Sequence, residues 1–232
     1  MGRAYNAKQW EVRAILDGRK SCIRIAVKYK YSNTEMKIKS DKYGSRLIEI
    51  QKDVEGETYG KNPDGSTWHR LLPYIEKIPP YKKGDILYVK ETWGTYNKNW
   101  WEADYFLYRA DYPANATTYT HPDGMICDLP KWRPSIQMPK EAARIWLKVT
   151  DVRVERLQDI TEDEAKAEGA IDNRGFIHSP DNEYDSIHTA REHFAEIWNS
   201  TIKKSDLERY GWDASPWVWV IEFERCEKPE DA

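Results

Sequence analysis

The run Ile15-Leu16-Asp17-Gly18-Arg19-Lys20-Ser21-Cys22-Ile23-Arg24-Ile25 constrains the fold more than any other stretch of this chain. Apolar positions at helical spacing reach a glycine, and a lysine follows at once at the mouth of an alternating, β-branched segment. Residues 7–17 predict a short helix, in which Trp10, Ala14 and Ile15 share a face and Val12 and Leu16 stand four apart. Gly18 supplies the stop, because glycine adopts left-handed backbone without a Cβ penalty. Residues 21–28 predict a strand, with Ser21, Ile23, Ile25 and Val27 on one face and Cys22, Arg24, Ala26 and Lys28 on the other. Helix, turn and strand in that order put the Lys20 ammonium at the rim of a sheet or barrel, where a ligand meets it.

Four further segments carry strong patterns. Gly84-Asp85 followed by Ile86–Trp93 reads as a turn and then a strand, with Glu91 and Trp93 at its end. Trp101–Ala110 is a second candidate strand, and Ala143–Leu157 a long one or a bent pair. Thr161-Glu162-Asp163-Glu164 is a capping box that opens a helix running to Glu168 and stopping at Gly169. Ile187–Ile202 is an amphipathic helix with Phe194, Ile197, Trp198 and Thr201 toward the core, and Pro216–Phe223 is a final strand with Trp217, Trp219 and Phe223 on one face. Two polar stretches interrupt this frame. One covers about 29–82, with the turn Pro63-Asp64-Gly65 and short strands near Arg46–Gln51 and Trp68–Tyr74. The other is loop-rich, covers about 95–135, holds Trp100-Trp101 and closes on Trp132-Arg133-Pro134.

At 232 residues the chain suits one domain (1–232) with these two insertions. Many short strands with few helices predict an α+β class rather than a doubly wound sheet. Aromatic residues reach 13%, with 11 Trp and 15 Tyr, which a disordered chain does not carry. A net charge of -3 excludes a global basic field for nucleic acid, so any such contact is local. The run Arg19, Lys20, Arg24, Lys28, Lys30, interleaved with Tyr29 and Tyr31, is one candidate patch. Trp132-Arg133, a planar guanidinium beside an aromatic, is another. Three widely spaced cysteines, Cys22, Cys127 and Cys226, fit a reduced cytosolic compartment better than a disulfide framework. His69, His121, His178, His188 and His193 show no metal-ligand spacing, and His188 and His193, five apart, are expected on different helix faces. No cofactor, metal or membrane association is expected.

The stretches Ile15–Lys20, Gly84–Trp93, Trp132–Pro139, Ala142–Glu168 and Tyr210–Glu224 together resemble the ASCH family of PUA-like barrel proteins, and more narrowly its bacteriophage and prophage members. The family hallmark G-x-K-x-x-[E/T]-x-R is matched at Gly18 and Lys20. It is departed from at Ile23 and Ile25, where polar groups are usual. The resemblance implies a PUA-like β-barrel flanked by short helices, in the cytoplasm of a bacterial host. It implies binding of RNA or of a modified nucleoside or nucleotide by Lys20, Arg24, Glu91, Trp93 and Arg133. Small relatives that hydrolyse N4-acetylcytidine imply the enzymatic alternative, an amidohydrolase or ribonuclease. There Lys20 is the activating cation, Glu168 the base and Ser21, or a water, the nucleophile. Ile23 stands at the usual threonine position and offers no nucleophile. A third reading is a protein that binds and inhibits a host factor.

Overall fold

The computed structural model describes residues 2–30, 34–41, 44–51, 58–61, 67–69, 75–96, 105–121, 124–174 and 188–230. The chain opens with β1 (Arg3–Asn6), α1 (Gln9–Leu16) and β2 (Cys22–Ala26). The polar insertion holds β3 (Thr34–Asp41), β4 (Gly44–Gln51), β5 (Thr58–Lys61), β6 (Thr67–His69) and β7 (Ile75–Glu76). Then come β8 (Ile86–Lys90), β9 (Trp93–Tyr96), β10 (Tyr105–Tyr108), β11 (Thr118–Thr120), β12 (Ile126–Asp128) and the long β13 (Trp146–Arg156). The chain ends with α2 (Glu162–Ala167), α3 (Ala190–Thr201), α4 (Leu207–Tyr210) and β14 (Trp217–Cys226). The class is mixed α+β, mostly strands with a few short helices.

The central sheet has five strands in the order β1-β8-β13-β14-β2. β1 lies parallel to β8, and the other neighbours are antiparallel. The closed barrel expected from the sequence is not formed by the described strands. The chain just ahead of β2 meets the end of a helix instead: Lys20 bridges Glu168, and Ser21 N donates to Ala167 O at 2.8 Å. A helix terminus satisfies those groups without offering an edge for a further strand.

β14 carries apolar residues on both faces because both faces are covered. Trp219, Ile221 and Phe223 join α1, β2 and β8 residues in the main core, as Val12, Ile15, Ile23, Leu87 and Val89 show. Val218 and Val220 face the other way, onto Phe194 and Trp198 of α3 and Ala165 of α2. Trp217, expected with the first set, packs against the main core. Thr201 departs from its expected place: it is exposed, and its hydroxyl donates to Trp198 O at 2.7 Å.

The polar insertion is not peripheral. Met36 and Leu47, from β3 and β4, are buried within the main core. Glu49 is anchored beneath them, accepting from Lys30 N at 3.0 and 2.9 Å and pairing with Lys77 at 2.5 Å. The loop-rich insertion holds a hairpin, β11 with β12, where the sequence pattern predicts loop. Tyr119 and Cys127 pack there with Leu107 in a small core of their own. Tyr31, the Pro63-Asp64-Gly65 turn, Trp100, Trp101, His178 and Ile187 lie outside the described residues. His188 precedes the helix N-cap Thr189, so helical spacing does not govern it. Its ring stacks on His193 with centroids 6.1 Å apart rather than facing away.

Candidate functional site

α1 ends at Leu16, and Gly18 takes φ +74°, the left-handed conformation that turns the chain back. Arg19 N and Lys20 N both donate to Ala14 O, at 2.8 and 3.0 Å, and this delivers Lys20 to the head of β2. Strand alternation then sets Lys20, Cys22 and Arg24 on one face and Ile23 on the other, in the core. Opposite them, the capping box of Thr161 and Glu164 fixes α2, and Glu168 is its C-cap. Gly169 takes φ +93°, and a Cβ there would stand 3.0 Å from Ala14 Cβ. Glycine is what lets the end of α2 lie against α1.

The result is a buried ionic cluster. Lys20 Nζ donates to Glu168 Oε2 at 2.6 Å and to Glu168 O at 3.0 Å. Arg24 Nη1 reaches Glu168 Oε1 at 3.4 Å. The side chains of Lys20, Arg24 and Glu168 are 1%, 1% and 4% exposed. Three more carboxylates ring the cations: Glu11 at 3.7 Å from Lys20, and Glu155 and Glu164 at 3.5 and 3.3 Å from Arg24. Tyr5 donates to Glu11 at 2.6 Å, and the Trp10 ring lies 5.4 Å from Lys20 Nζ.

Burial by itself pushes Lys20 down, but Glu168 and Glu11 outweigh it and hold the ammonium above the usual lysine range. Lys20 is therefore a fixed cation at neutral pH and no nucleophile. Burial and the Glu168 charge push the Cys22 thiol far up, so it is not a thiolate either. For Glu164 the desolvation penalty is overcome by the Thr161 N–H, Arg24 and Arg153, and its carboxyl is held below the ordinary glutamate range.

The expected single pocket divides into two places. Lys20, Arg24 and Glu168 come together as above. Glu91, Trp93 and Arg133 belong to a second region built by β9 and the segment before β13. Trp93 and Arg133 form an isolated bridge, with N–H···O contacts of 3.2 and 2.7 Å in the two directions. The Arg133 guanidinium sits 5.0 Å above the Trp93 ring, and that ring is buried against Met138, Ala142 and Trp146. Trp93 is thus a core residue rather than an open stacking platform. Glu91 is 1% exposed and is held by Arg144 through two contacts of 2.9 and 3.0 Å. Burial raises its carboxyl above the ordinary range, and Arg144 offsets only part of that. Arg144 also holds Asp111 through two contacts of 2.8 Å and lies 4.0 Å above the Tyr108 ring. Glu91 is consumed in this network and presents nothing to a ligand.

Two other expectations are corrected. Ser21 is exposed and on the face opposite Lys20, so it cannot act as a nucleophile beside that cation. The basic run 19–30 is not a continuous patch. Lys20 and Arg24 are buried in ion pairs, Arg19 pairs with Asp17 at 2.9 Å, and Lys28 lies 4.0 Å above the Tyr210 ring.

An open cleft of about 460 Å³ adjoins the second region, lined by Thr95, Pro130, Lys131, Trp132, Arg133 and Gln137. Gly94 shapes its base, since a Cβ there would meet Pro130 Cγ at 2.6 Å. Lys131 and Arg133 are exposed, while Trp132 is half-buried against Tyr112, 5.9 Å away, and Arg109, 5.7 Å away. The cleft offers two cations and a half-buried indole. Sequence reasoning missed Glu11, Glu155, Asp111 and Arg144. Their partners lie far along the chain, and no local spacing announces them.

Comparison of the chain with protein-family models, with curated proteins and with solved structures finds no match.

Proposed function

We propose that this chain binds RNA or a nucleotide, and that its ligand site is the open cleft around Lys131, Trp132 and Arg133. The observation that carries this reading is the pairing of exposed guanidinium and ammonium groups with an indole in one cleft of about 460 Å³. A guanidinium fork matches phosphate oxygens, and an aromatic next to it takes a base by stacking, worth about 1–3 kcal/mol per base. On this reading the Lys20–Glu168 cluster holds the scaffold and does not touch the ligand. The PUA-like ancestry, the ASCH resemblance and the phage or prophage setting belong to the same proposal. They rest on the sequence motifs alone.

The test is calorimetric titration with short single-stranded RNA and with free nucleotides, at two salt concentrations. Binding is expected to weaken as salt rises, and about tenfold in both Arg133→Ala and Trp132→Ala. Unchanged affinity in both variants would move the site elsewhere. A second reading, hydrolysis of an N4-acylated cytidine, is favoured by the 2.6 Å Lys20–Glu168 contact alone. In that case a water replaces Ser21 as nucleophile, and turnover is lost in Lys20→Ala while Arg133→Ala retains it.

A further inference from the structure

Among the described residues β13 has a strand partner on only part of one side. β8 pairs with it from Trp146 to Lys148, and the last contacts are Gly84 N to Val149 O and Val149 N to Asp85 O, at 2.8 and 2.9 Å. A β-bulge follows at once, between Val149 and Asp151. From Asp151 to Arg156 the strand pairs with β14 on one side, and among the described residues no strand pairs with the other. Leu157 N donates to Pro216 O, which places it on the β14 side. Backbone groups alternate in direction along a strand, so those of Val152, Val154 and Arg156 point to the open side. Bulges recur where a strand is re-aimed at the end of pairing and next to binding sites.

The open side is not bare solvent. A groove of about 500 Å³ lies in the fork between β13 and the segment that precedes β8. Its apolar lining comes from Val152, Val154, Trp219 and Leu47 together with Pro79 and Tyr81. Five cations line it, Arg46, Lys77, Lys82, Lys83 and Arg153, against two carboxylates, Glu76 and Asp151. Arg46 pairs with Glu76 at 3.2 Å, Lys77 with the buried Glu49 at 2.5 Å, and Arg153 is engaged by Glu164 at 2.7 Å as well as by Glu155 and Glu222. Lys82 and Lys83 are exposed on the rim, and Lys83 has no ion pair among the described residues.

We propose that this fork takes an extended acidic peptide segment of a partner protein as an added strand on β13. The open N–H and C=O groups of Val152 and Val154 supply the ladder. The apolar lining takes alternate side chains, and the lysine rim takes the acidic ones between them. An unpaired strand edge beside apolar side chains is the arrangement that strand addition uses, and the exposed Lys82 and Lys83 select the sign of the partner. This surface is distinct from the Arg133 cleft, and the proposal does not depend on it.

The probe is a capped peptide of about eight residues in strict Glu/Val alternation, with a Lys/Val peptide and a short oligouridylate as comparisons. Binding is read by calorimetry and by amide hydrogen exchange on the full chain. The Glu/Val peptide is expected to bind, to lose affinity about tenfold in Lys83→Glu, and to slow exchange at Val152 and Val154 by at least about tenfold. Val154→Pro, which removes a donor on the open side and spares the β14 ladder, is expected to abolish it. If that variant does not fold, the exchange measurement on the unaltered chain still decides. The proposal is overturned by absence of Glu/Val binding, by unchanged exchange at the two valines, or by equal binding of the Lys/Val peptide. Oligouridylate protecting those same amides would assign the fork to nucleic acid instead.

Discussion

Glu168→Gln separates a structural ion cluster from an incidental one. The substitution keeps the volume and one acceptor but removes the charge that Lys20 meets at 2.6 Å and Arg24 at 3.4 Å. Both cations are 1% exposed, so water cannot take over from the carboxylate. Breaking a buried pair from one side costs about 3–5 kcal/mol, because the remaining charge stays desolvated. Here Glu11, 3.7 Å from Lys20, and Glu164, 3.3 Å from Arg24, offer partial compensation. The expected loss is therefore near the lower limit, about 3 kcal/mol. For a chain of this length that lowers Tm by about 6–12 °C. Urea denaturation with linear extrapolation measures the loss directly. The double variant Lys20→Met with Glu168→Gln, which removes both charges of the closest pair, completes a cycle, and it is expected to be less destabilised than the two single changes sum to. A loss below about 1 kcal/mol for Glu168→Gln, with strict additivity in the cycle, would refute the buried-charge argument.

Arg144→Ala leaves Glu91 buried without its guanidinium, and a loss of about 3 kcal/mol in urea denaturation is expected. The Glu91 carboxyl, already above its ordinary range in the native protein, then rises further. A raised carboxylate makes the native state bind the extra proton, so the loss is expected to shrink as pH falls toward about 4.5. Gly169→Ala forces a left-handed φ of +93° and a 3.0 Å contact with Ala14 Cβ, for an expected cost of about 1–3 kcal/mol read as a lowered Tm. The pH profile of the native chain follows from two opposite signs. Glu164 and Asp85 lie below their ordinary ranges, so their stabilisation is present above the unfolded carboxyl values and lost as pH falls through the native ones. Lys20 lies above its ordinary range, so its contribution is present below the unfolded lysine value and lost as pH rises through the native one. Chemical denaturation across pH should show a neutral plateau falling on both sides. A stability maximum below pH 4 would contradict it.

Much of the frame was legible in the chain. The alternation of residues 21–28, the run after Gly84, the capping box at Thr161 and the aromatic face of the last strand all specify local structure through periods of two and 3.6. They yielded β2, β8, α2 and β14 near their true limits. They also placed Lys20 after a glycine turn and Glu168 at a helix end. Glu164 and Glu168, four apart in α2 and at its C-cap, repel, so the spacing itself favours a partner for Glu168 elsewhere.

The sequence by itself determined which residues share a face; tertiary structure alone decided which face meets what. Period two groups Lys20, Cys22 and Arg24 against Ser21, Ile23 and Ile25, but it does not say which group is buried with charge. Contact with Glu168, 148 positions away, settled that. The same holds for Glu91, whose character follows from Arg144, and for Trp93, whose ring the segment before β13 covers. It holds too for Met36 and Leu47, polar-segment residues that enter the main core. Local energetics act over a few residues, whereas desolvation and ion pairing are set by whatever the folded chain brings within a few ångströms. A chain therefore announces its strands and caps, while the working identity of its charged groups emerges only on folding.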